Sequence, residues 1–293
     1  MPELPEVETI KRELAPKIVG RGFSGVILNW PKAVQIPSAE DFSRRLIGKT
    51  IEQLERRGKY LILRLFGGEA LILHLRMSGS LLLKTASGER DPYSRAIFLL
   101  DDGTELHFSD RRKLGQMWLV KDESTVVAKL GPEPLEPSFT PEVLAQRLGK
   151  RSAPIKAVLC DQTFLAGVGN MYADEALFAA RIHPLRKGNS LSPQEVERLH
   201  GALRRVLEEA IASWGASISD YRRPGGELGS AQFVFKVAHR GGEPCPVCKT
   251  PIERIPLRGR GTYFCPRCQG KSLAFHACLV NPFTNPLTNR KNL

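Results

Sequence analysis

Two pairs of cysteines constrain the fold of this chain more than any other feature. Cys245 and Cys248 form one CxxC pair, Cys265 and Cys268 form a second, and sixteen residues separate the pairs. Four thiolates in two such knuckles are typical of one closed, tetrahedral structural zinc site. A redox function is the alternative, but two pairs at this spacing argue against it. We therefore predict one structural Zn²⁺, no other cofactor, and a zinc-finger β-hairpin over 235–269.

The charge balance favours a polyanionic partner. The 293 residues contain 43 Lys and Arg against 31 Asp and Glu, for a net charge of +12 and a pI near 9.6. An anionic membrane surface could also attract such a chain, but no long basic amphipathic helix with an aromatic face stands out. No signal peptide and no apolar run of transmembrane length is evident. We expect a cytoplasmic protein that binds nucleic acid and no membrane.

The hydrophobic pattern changes along the chain. Apolar residues at helical spacing predict a helix that begins near Pro5, and short apolar runs over 23–120 predict antiparallel hairpins. Turns are expected at 67–68 and at 101–103, where glycine and aspartate interrupt the pattern. The first half therefore indicates a β-rich domain with a leading helix.

A proline-rich stretch at 130–137, LGPEPLEP, marks the best domain boundary because it cannot form regular structure. Beyond it the pattern is helical, with predicted helices at 141–148, 152–160, 170–181 and 192–214. A loop over 216–231 follows them. The predicted division is an N-terminal domain over 1–130, a linker over 131–141, a helical domain over 142–234, the zinc hairpin over 235–269, and a disordered tail over 270–293.

The N-terminal Met1-Pro2-Glu3 can carry chemistry if Met1 is removed. A terminal proline is a secondary amine, which can attack an aldehyde-like carbon and form an iminium ion that acts as an electron sink. Glu3 and Glu6 place two carboxylates beside it. Taken alone, the same residues also suit an ordinary helix N-terminus.

Several other segments could contact phosphates or bases. Glycines around Asn170, with Lys156 nearby, could cradle a phosphate or simply make a tight turn between helices. Arg260 lies in the turn between the cysteine pairs, where it could grip a phosphate or lie in solvent. In the β-rich half, apolar Met77 and Leu114 lie close to arginines, as in proteins that wedge open a base step. Alternative interpretations are a core methionine, a buried histidine at position 74, and solvated charges.

Taken together, these motifs make the chain resemble the bacterial formamidopyrimidine-DNA glycosylases, which excise oxidised purines. The resemblance runs from Pro2 to Gln269. Beside the four cysteines, its motifs are 2–9 (PELPEVET), 57–61 (RGKYL), 77–79 (MSG), 130–135 (LGPEPL) and 167–172 (GVGNMY).

The resemblance implies an α+β fold: an N-terminal β-sandwich with a leading helix, then a helical domain with a helix–two-turn–helix motif and a zinc hairpin. It implies a bifunctional DNA glycosylase and AP lyase of base excision repair that flips out its target and cleaves by β,δ-elimination. Pro2 would be the nucleophile and Glu3 the proton shuttle. Lys59 would contact a phosphate near the lesion.

The resemblance also implies the DNA contacts. Asn170 and Arg260 would hold the phosphates that flank the flipped nucleotide, and Arg260 would take part in catalysis with Lys59. Met77 and Arg112 would fill the hole left in the duplex. The remaining expected DNA contacts are His74, Leu114 and Lys156. One asymmetric lesion also suggests a monomer.

Two residues depart from the family pattern. Arg76 stands where the family usually has glycine, and Leu114 where it usually has phenylalanine. Leucine lacks the aromatic face that stacks on the orphaned base, so we expect weaker discrimination of the base opposite the lesion.

Two alternative functions remain open. An endonuclease VIII-type glycosylase would apply the same chemistry to oxidised pyrimidines, but that family typically has glycine where this chain has Leu4. A non-catalytic, zinc-containing DNA-binding protein would explain the charge and the cysteines but not Pro2-Glu3.

Overall fold

The computed structural model describes residues 2–85 and 91–270. Almost all of the predicted disordered tail over 270–293 lies outside the described residues.

The first helix begins at the very start of the chain. This helix, α1 (Leu4–Ile18), has Glu3 at its N-cap position, and the backbone N–H of Glu3 donates to Glu6 Oε2 at 2.7 Å. Pro5 suits the first turn because its missing N–H needs no partner there. The predicted apolar face is buried, through Val7, Ile10, Leu14 and Ile18.

Two sheets form the β-sandwich that follows. One sheet has the strand order β1-β7-β8-β6, and the other has the order β2-β9-β5-β4-β3. The strands are β1 (Phe23–Leu28), β2 (Val34–Ile36), β3 (Ile51–Arg57), β4 (Tyr60–Leu65), β5 (Glu69–His74), β6 (Gly79–Thr85), β7 (Ser94–Leu100), β8 (Thr104–Asp110) and β9 (Gln116–Val120). A short helix, α2 (Ala39–Leu46), packs on β1 and β2. The hairpins expected at 67–68 and 101–103 join β4 to β5 and β7 to β8.

The second half is helical, as its pattern predicts. Its helices are α3 (Ser124–Val127), α4 (Pro141–Leu148), α5 (Ile155–Leu159), α6 (Asn170–Ala179) and α7 (Pro193–Ala212). Helix α5 is shorter than the predicted 152–160. Pro154 has an extended backbone and occupies the N-cap position, so the helix begins at Ile155. The domain boundaries stay predictions. None of the helices in the described residues is long and apolar enough to cross a membrane.

Two separate apolar cores meet at helix α1. Leu4 belongs to the core of the helical half, whereas Val7 and the later apolar residues of α1 belong to the core of the sandwich. The helix also contacts both β3 and α7. The segment from Pro2 to Val7 is therefore buried at the junction of the two halves.

The zinc element is a two-stranded hairpin, β10 (Glu253–Leu257) paired with β11 (Arg260–Phe264). A small apolar cluster holds it against the end of α6, with Phe178 and Val237 packed among the cysteines. The α+β fold class and the zinc hairpin are both confirmed.

The turn between β5 and β6 carries a strained residue at the first departure from the family pattern. Arg76 has φ = 53°, in the left-handed region that favours glycine. Its guanidinium donates to Gln116 Oε1 at the protein surface.

We expect Arg76→Gly to raise the free energy of unfolding by about 1 kcal/mol, because a residue with a Cβ costs roughly 1–2 kcal/mol in this region. Urea denaturation would measure it. Arg76→Ala is the matched control, since it removes the same contact to Gln116 but keeps the Cβ. Equal stability of the two variants would contradict the strain argument.

Candidate active site

The carboxylate of Glu3 lies between the start of α1 and the start of α6. Its Oε1 accepts the backbone N–H of Met171 at 3.1 Å, within the first turn of α6, where free N–H groups favour a negative charge. The backbone N–H of Leu4 donates to Gly167 O at 3.0 Å and fixes the chain start on the same loop. Glu3 Oε2 is buried and has no hydrogen-bond partner among the described residues. Pro2 is buried beside it.

Glu3 and Lys59 meet on the face of Gly169. A Cβ built on Gly169 would lie 2.4 Å from Glu3 Cδ and 2.6 Å from Lys59 Nζ. Only glycine leaves room for both groups. We call Glu3, Lys59 and Gly169 the catalytic cluster, after the roles that the resemblance implies for Glu3 and Lys59.

The ammonium group of Lys59 is buried in this cluster. Burial is the largest influence on its pKa and lowers it, the charge of Glu3 opposes that shift, and the charge of Arg260 adds to it. A lysine with a lowered pKa gives up its proton more readily and suits acid–base work.

Glu6 joins α1 to the loop that follows α7. Its Oε1 accepts the hydroxyl of Tyr172 and the backbone N–H of Ala216, the latter at 2.7 Å. Burial, followed by the charge of Glu3, raises the pKa of Glu6. The loop at 216 is thus tied directly to the residues beside the N-terminus.

One carbonyl oxygen docks the zinc hairpin onto the helical half. Gly261 O accepts Asn170 Nδ2 at 3.0 Å and Lys156 Nζ at 3.1 Å. Gly261 follows Arg260, so this docking holds Arg260 close enough to influence the pKa of Lys59.

Lys156 is buried and paired with a carboxylate. Its side chain is only 2% exposed, and its ammonium lies 2.7 Å from Asp174 Oδ1. Asp174 Oδ2 also accepts the backbone N–H of Tyr263 in the hairpin. The arrangement therefore favours a role for Lys156 in holding the hairpin, and its contact with a phosphate stays a prediction.

Met77, Arg112 and Leu114 form a second group, which we call the wedge cluster. Met77 is 47% exposed and Leu114 is 41% exposed, although both are apolar. Arg112 Nη1 lies 3.4 Å from Met77 Sδ. The buried carboxylate of Asp110 organises this turn, accepting the backbone N–H groups of Arg112, Leu114 and Gly115.

His74 lies at the end of β5. Its ring packs edge-on against Tyr60, which follows Lys59, and its Nδ1 accepts the backbone N–H of Arg76. Burial, with the charges of Arg76 and Lys59, lowers its pKa to about 3. The ring is therefore neutral at pH 7, and because Nδ1 is an acceptor its proton is on Nε2.

The four cysteine sulfurs fit a zinc ion. All four lie within 4.8 Å of one another, with Cys245 Sγ and Cys268 Sγ 3.8 Å apart. Tetrahedral Zn–S bonds of about 2.3 Å place sulfurs about 3.8 Å apart. Four protein ligands leave no open position, so the ion is structural.

Comparison with known proteins identifies the family. Models described as the formamidopyrimidine-DNA glycosylase N-terminal domain, its H2TH domain, and a zinc finger found in FPG and IleRS match residues 1–117, 130–222 and 242–270. A formamidopyrimidine-DNA glycosylase of Symbiobacterium thermophilum is 49% identical over 92% of this chain and 89% of its own length. This chain belongs to the formamidopyrimidine-DNA glycosylase family. A glycosylase of the same name from Chloroflexus aurantiacus is 47% identical and matches over 92% of this chain and 98% of its own.

Solved structures of the family share the fold. The MutM (Fpg) protein of Thermus thermophilus is 41% identical, with a TM-score of 0.84 over 92% of this chain and 99% of its own. The Lactococcus lactis Fpg in complex with DNA containing FAPY-dG is 36% identical, with a TM-score of 0.85 over 92% of this chain and 100% of its own. The helix–two-turn–helix motif and the structural zinc site are confirmed.

Sequence reasoning missed the residues that hold this glycosylase site together. Gly169 packs against Glu3 and Lys59. Asp110 accepts backbone N–H groups of the turn that carries Leu114, and Asp174 pairs with Lys156 and the hairpin. In the sequence each of the three resembles an ordinary turn or helix residue. The GVGN motif was the one available signal. Its glycines indicated that another group comes close to the backbone there, but not that this group would be Glu3 or Lys59.

We expect Gly169→Ala to reduce glycosylase activity on a formamidopyrimidine duplex about 100-fold, because the added methyl group separates Glu3 from Lys59. The backbone at Gly169 is extended (φ −135°, ψ −152°), a conformation that alanine can adopt, so the expected loss comes from the contacts with Glu3 and Lys59 and not from backbone strain. Single-turnover excision rates would measure the loss. Gly201→Ala is the control: a Cβ there meets nothing within 4 Å, so activity should persist. Full activity of Gly169→Ala would contradict the packing.

Proposed function

We propose that this chain is a bifunctional DNA glycosylase and AP lyase that removes oxidised purines, such as 8-oxoguanine and formamidopyrimidines, from double-stranded DNA. The observation that carries the proposal is the packing of Glu3 and Lys59 on Gly169, directly beside Pro2. Membership of the family, whose Lactococcus lactis relative binds FAPY-dG-containing DNA, supports the substrate class.

The first step uses the amine of Pro2, which must be freed by removal of Met1. A terminal amine has an ordinary pKa of about 8, so a useful fraction is neutral near pH 7. The nitrogen attacks the anomeric carbon of the flipped nucleotide, and the bond to the damaged base breaks. The base leaves with the bonding electron pair and takes a proton from solvent. Glu3 accepts the proton that the attacking nitrogen loses and delivers it from Oε2, which has no partner among the described residues, to the sugar ring oxygen. The ring then opens and leaves an iminium ion between the Pro2 nitrogen and the anomeric carbon.

The second stage is strand cleavage. The iminium ion withdraws electrons and acidifies the adjacent carbon–hydrogen bond, so the phosphate on the 3′ side can leave by β-elimination and the other by δ-elimination. We assign the proton transfers in these steps to Lys59, because burial lowers the pKa of its ammonium group. Arg260 and Asn170 hold the flanking phosphates, and Arg260 assists the elimination.

The wedge cluster supports access to the base. A target inside a duplex must be flipped out before its sugar can be attacked. Met77, Leu114 and Arg112 together present exposed apolar atoms and a cation, which suit the space left in the base stack. His74, neutral and close to Lys59, can donate from Nε2 to a phosphate.

The zinc ion, held by the four cysteines, supplies no chemistry. It stabilises the hairpin that carries Arg260. We propose further that the protein acts as a monomer in the bacterial cytoplasm, in association with the nucleoid.

We expect borohydride to trap a covalent adduct between the protein and an 8-oxoguanine duplex only when Met1 is absent. With Met1 retained, the Pro2 nitrogen is an amide and cannot attack. The Pro2→Gly variant should also form no adduct. The terminal amine of glycine is primary and lacks the proline ring that directs the nitrogen. Gel shift of denatured protein would measure trapping, and peptide mass spectrometry would locate the bond.

Robust trapping with Met1 retained would show that another amine, such as that of Lys59, is the nucleophile. No trapping by any form would favour the non-catalytic DNA-binding alternative. A parallel panel of oxidised pyrimidine duplexes tests the endonuclease VIII-type alternative, which predicts faster trapping on those substrates.

We expect Leu114→Phe to sharpen the choice of the base opposite the lesion. An aromatic ring stacks on the orphaned base, whereas leucine only fills space. Excision rates opposite each of the four bases would measure the change in their ratios. Unchanged ratios would show that the residue at 114 does not set this preference.

A further inference from the structure

A buried carboxylate in the proline-rich linker contacts the turn that carries Lys59. Glu133 is 8% exposed, and its Oε1 accepts both the backbone N–H of Gly58 and Arg57 Nη1, the latter at 3.1 Å. Its Oε2 accepts Arg56 Nη1 at 2.7 Å. One side chain of the linker therefore binds three consecutive residues at the end of β3.

The same network reaches helix α1. Arg56 lies between two carboxylates, with its Nε 2.8 Å from Glu8 Oε2 and its Nη1 bonded to Glu133. All three side chains are more than nine-tenths buried. Burying charges this deeply costs free energy unless each charge is paired. The ion pairs therefore hold helix α1, the end of β3 and the linker in a single arrangement.

The turn at Gly58 transmits this arrangement to the catalytic cluster. Gly58 has φ = 59°, and a Cβ there would lie 3.5 Å from the backbone N of Gly167. The next residue is Lys59, whose Nζ faces Gly169. Glu133 therefore accepts the N–H of Gly58, the residue that directly precedes Lys59 and its buried ammonium group.

We propose that Glu133 is a positioning residue: through the N–H of Gly58 it holds the Lys59 ammonium against Glu3 and Gly169, and so sets the rate of strand cleavage. This inference rests on the proposed function of Lys59. It assigns the linker a part in the chemistry, beyond joining the two halves. A shift of about 1 Å in a reacting group can cost about 100-fold in rate, so a loosened turn is sufficient to slow the reaction.

Glu8 provides a matched control. Glu133→Gln and Glu8→Gln each remove one of the two carboxylates that neutralise Arg56, but only Glu133 touches Gly58. Both variants should lower the melting temperature. Any loss of activity that follows merely from the broken ion pair should appear in both.

The experiment measures the single-turnover cleavage rate of a duplex with a preformed abasic site, together with the Kd for a non-cleavable duplex, well below the melting temperature of each variant. We expect Glu133→Gln to cleave about 10- to 100-fold more slowly with a Kd within about 3-fold of the wild type. Glu8→Gln should cleave within about 3-fold of the wild-type rate. Glu133→Asp keeps the charge and should give an intermediate rate, and it replaces Glu133→Gln if that variant does not fold.

Equal rates for wild type and Glu133→Gln, or equal losses in both glutamine variants, would overturn the inference. Borohydride trapping separates this outcome from failure of the proposed function. Glu133→Gln should still form the Pro2 adduct, because the attacking amine is intact. If the wild type itself forms no adduct, the proposed function fails and not the positioning role.

Discussion

The burial of the first residues of α1 at the junction of two apolar cores is the constraint on which the site depends. Leu4 packs in the helical core and donates its N–H to Gly167 O, while Val7 begins the face that packs on the sandwich. Neither half alone would bury this turn. Because Pro2 and Glu3 precede it directly, the proposed nucleophile and proton shuttle are held where both halves contribute groups. Separation of the halves would disperse the catalytic cluster.

Close backbone approaches do most of the positioning. Gly169 lets Glu3 and Lys59 meet, and the single carbonyl of Gly261 receives both Asn170 and Lys156, which fixes the hairpin beside them. These contacts are short and directional, so they tolerate little displacement. The wedge cluster follows the same principle, since one buried carboxylate, Asp110, orders the turn that exposes Leu114 and Arg112. The site is closely packed where chemistry is proposed and exposed at the wedge cluster, where contact with DNA is proposed.

Much of the fold and part of the site could be predicted from the sequence. The zinc knuckles, the α1 periodicity and the hairpin turns each depend on residues near one another in the chain, so local patterns were sufficient. The sequence did not reveal the partners that are distant along the chain. Lys156 looked like a phosphate ligand because it is basic and near a glycine turn, yet Asp174 and the hairpin carbonyl engage it. Glu133 looked like part of a spacer, yet it binds the Lys59 turn.

The sequence by itself determined the family, the four zinc ligands and the set of residues available for the reaction, because motifs at fixed spacing encode local geometry and chemical type. It also exposed the departures at Arg76 and Leu114, and the structure supplied the reason that glycine suits position 76. Only the tertiary structure decided which charges are buried, which are paired and which are exposed. Burial and pairing depend on segments more than a hundred residues apart, such as Glu3 and Met171. They set the pKa of Lys59 and the freedom of Glu3 Oε2, neither of which can be read from neighbouring residues.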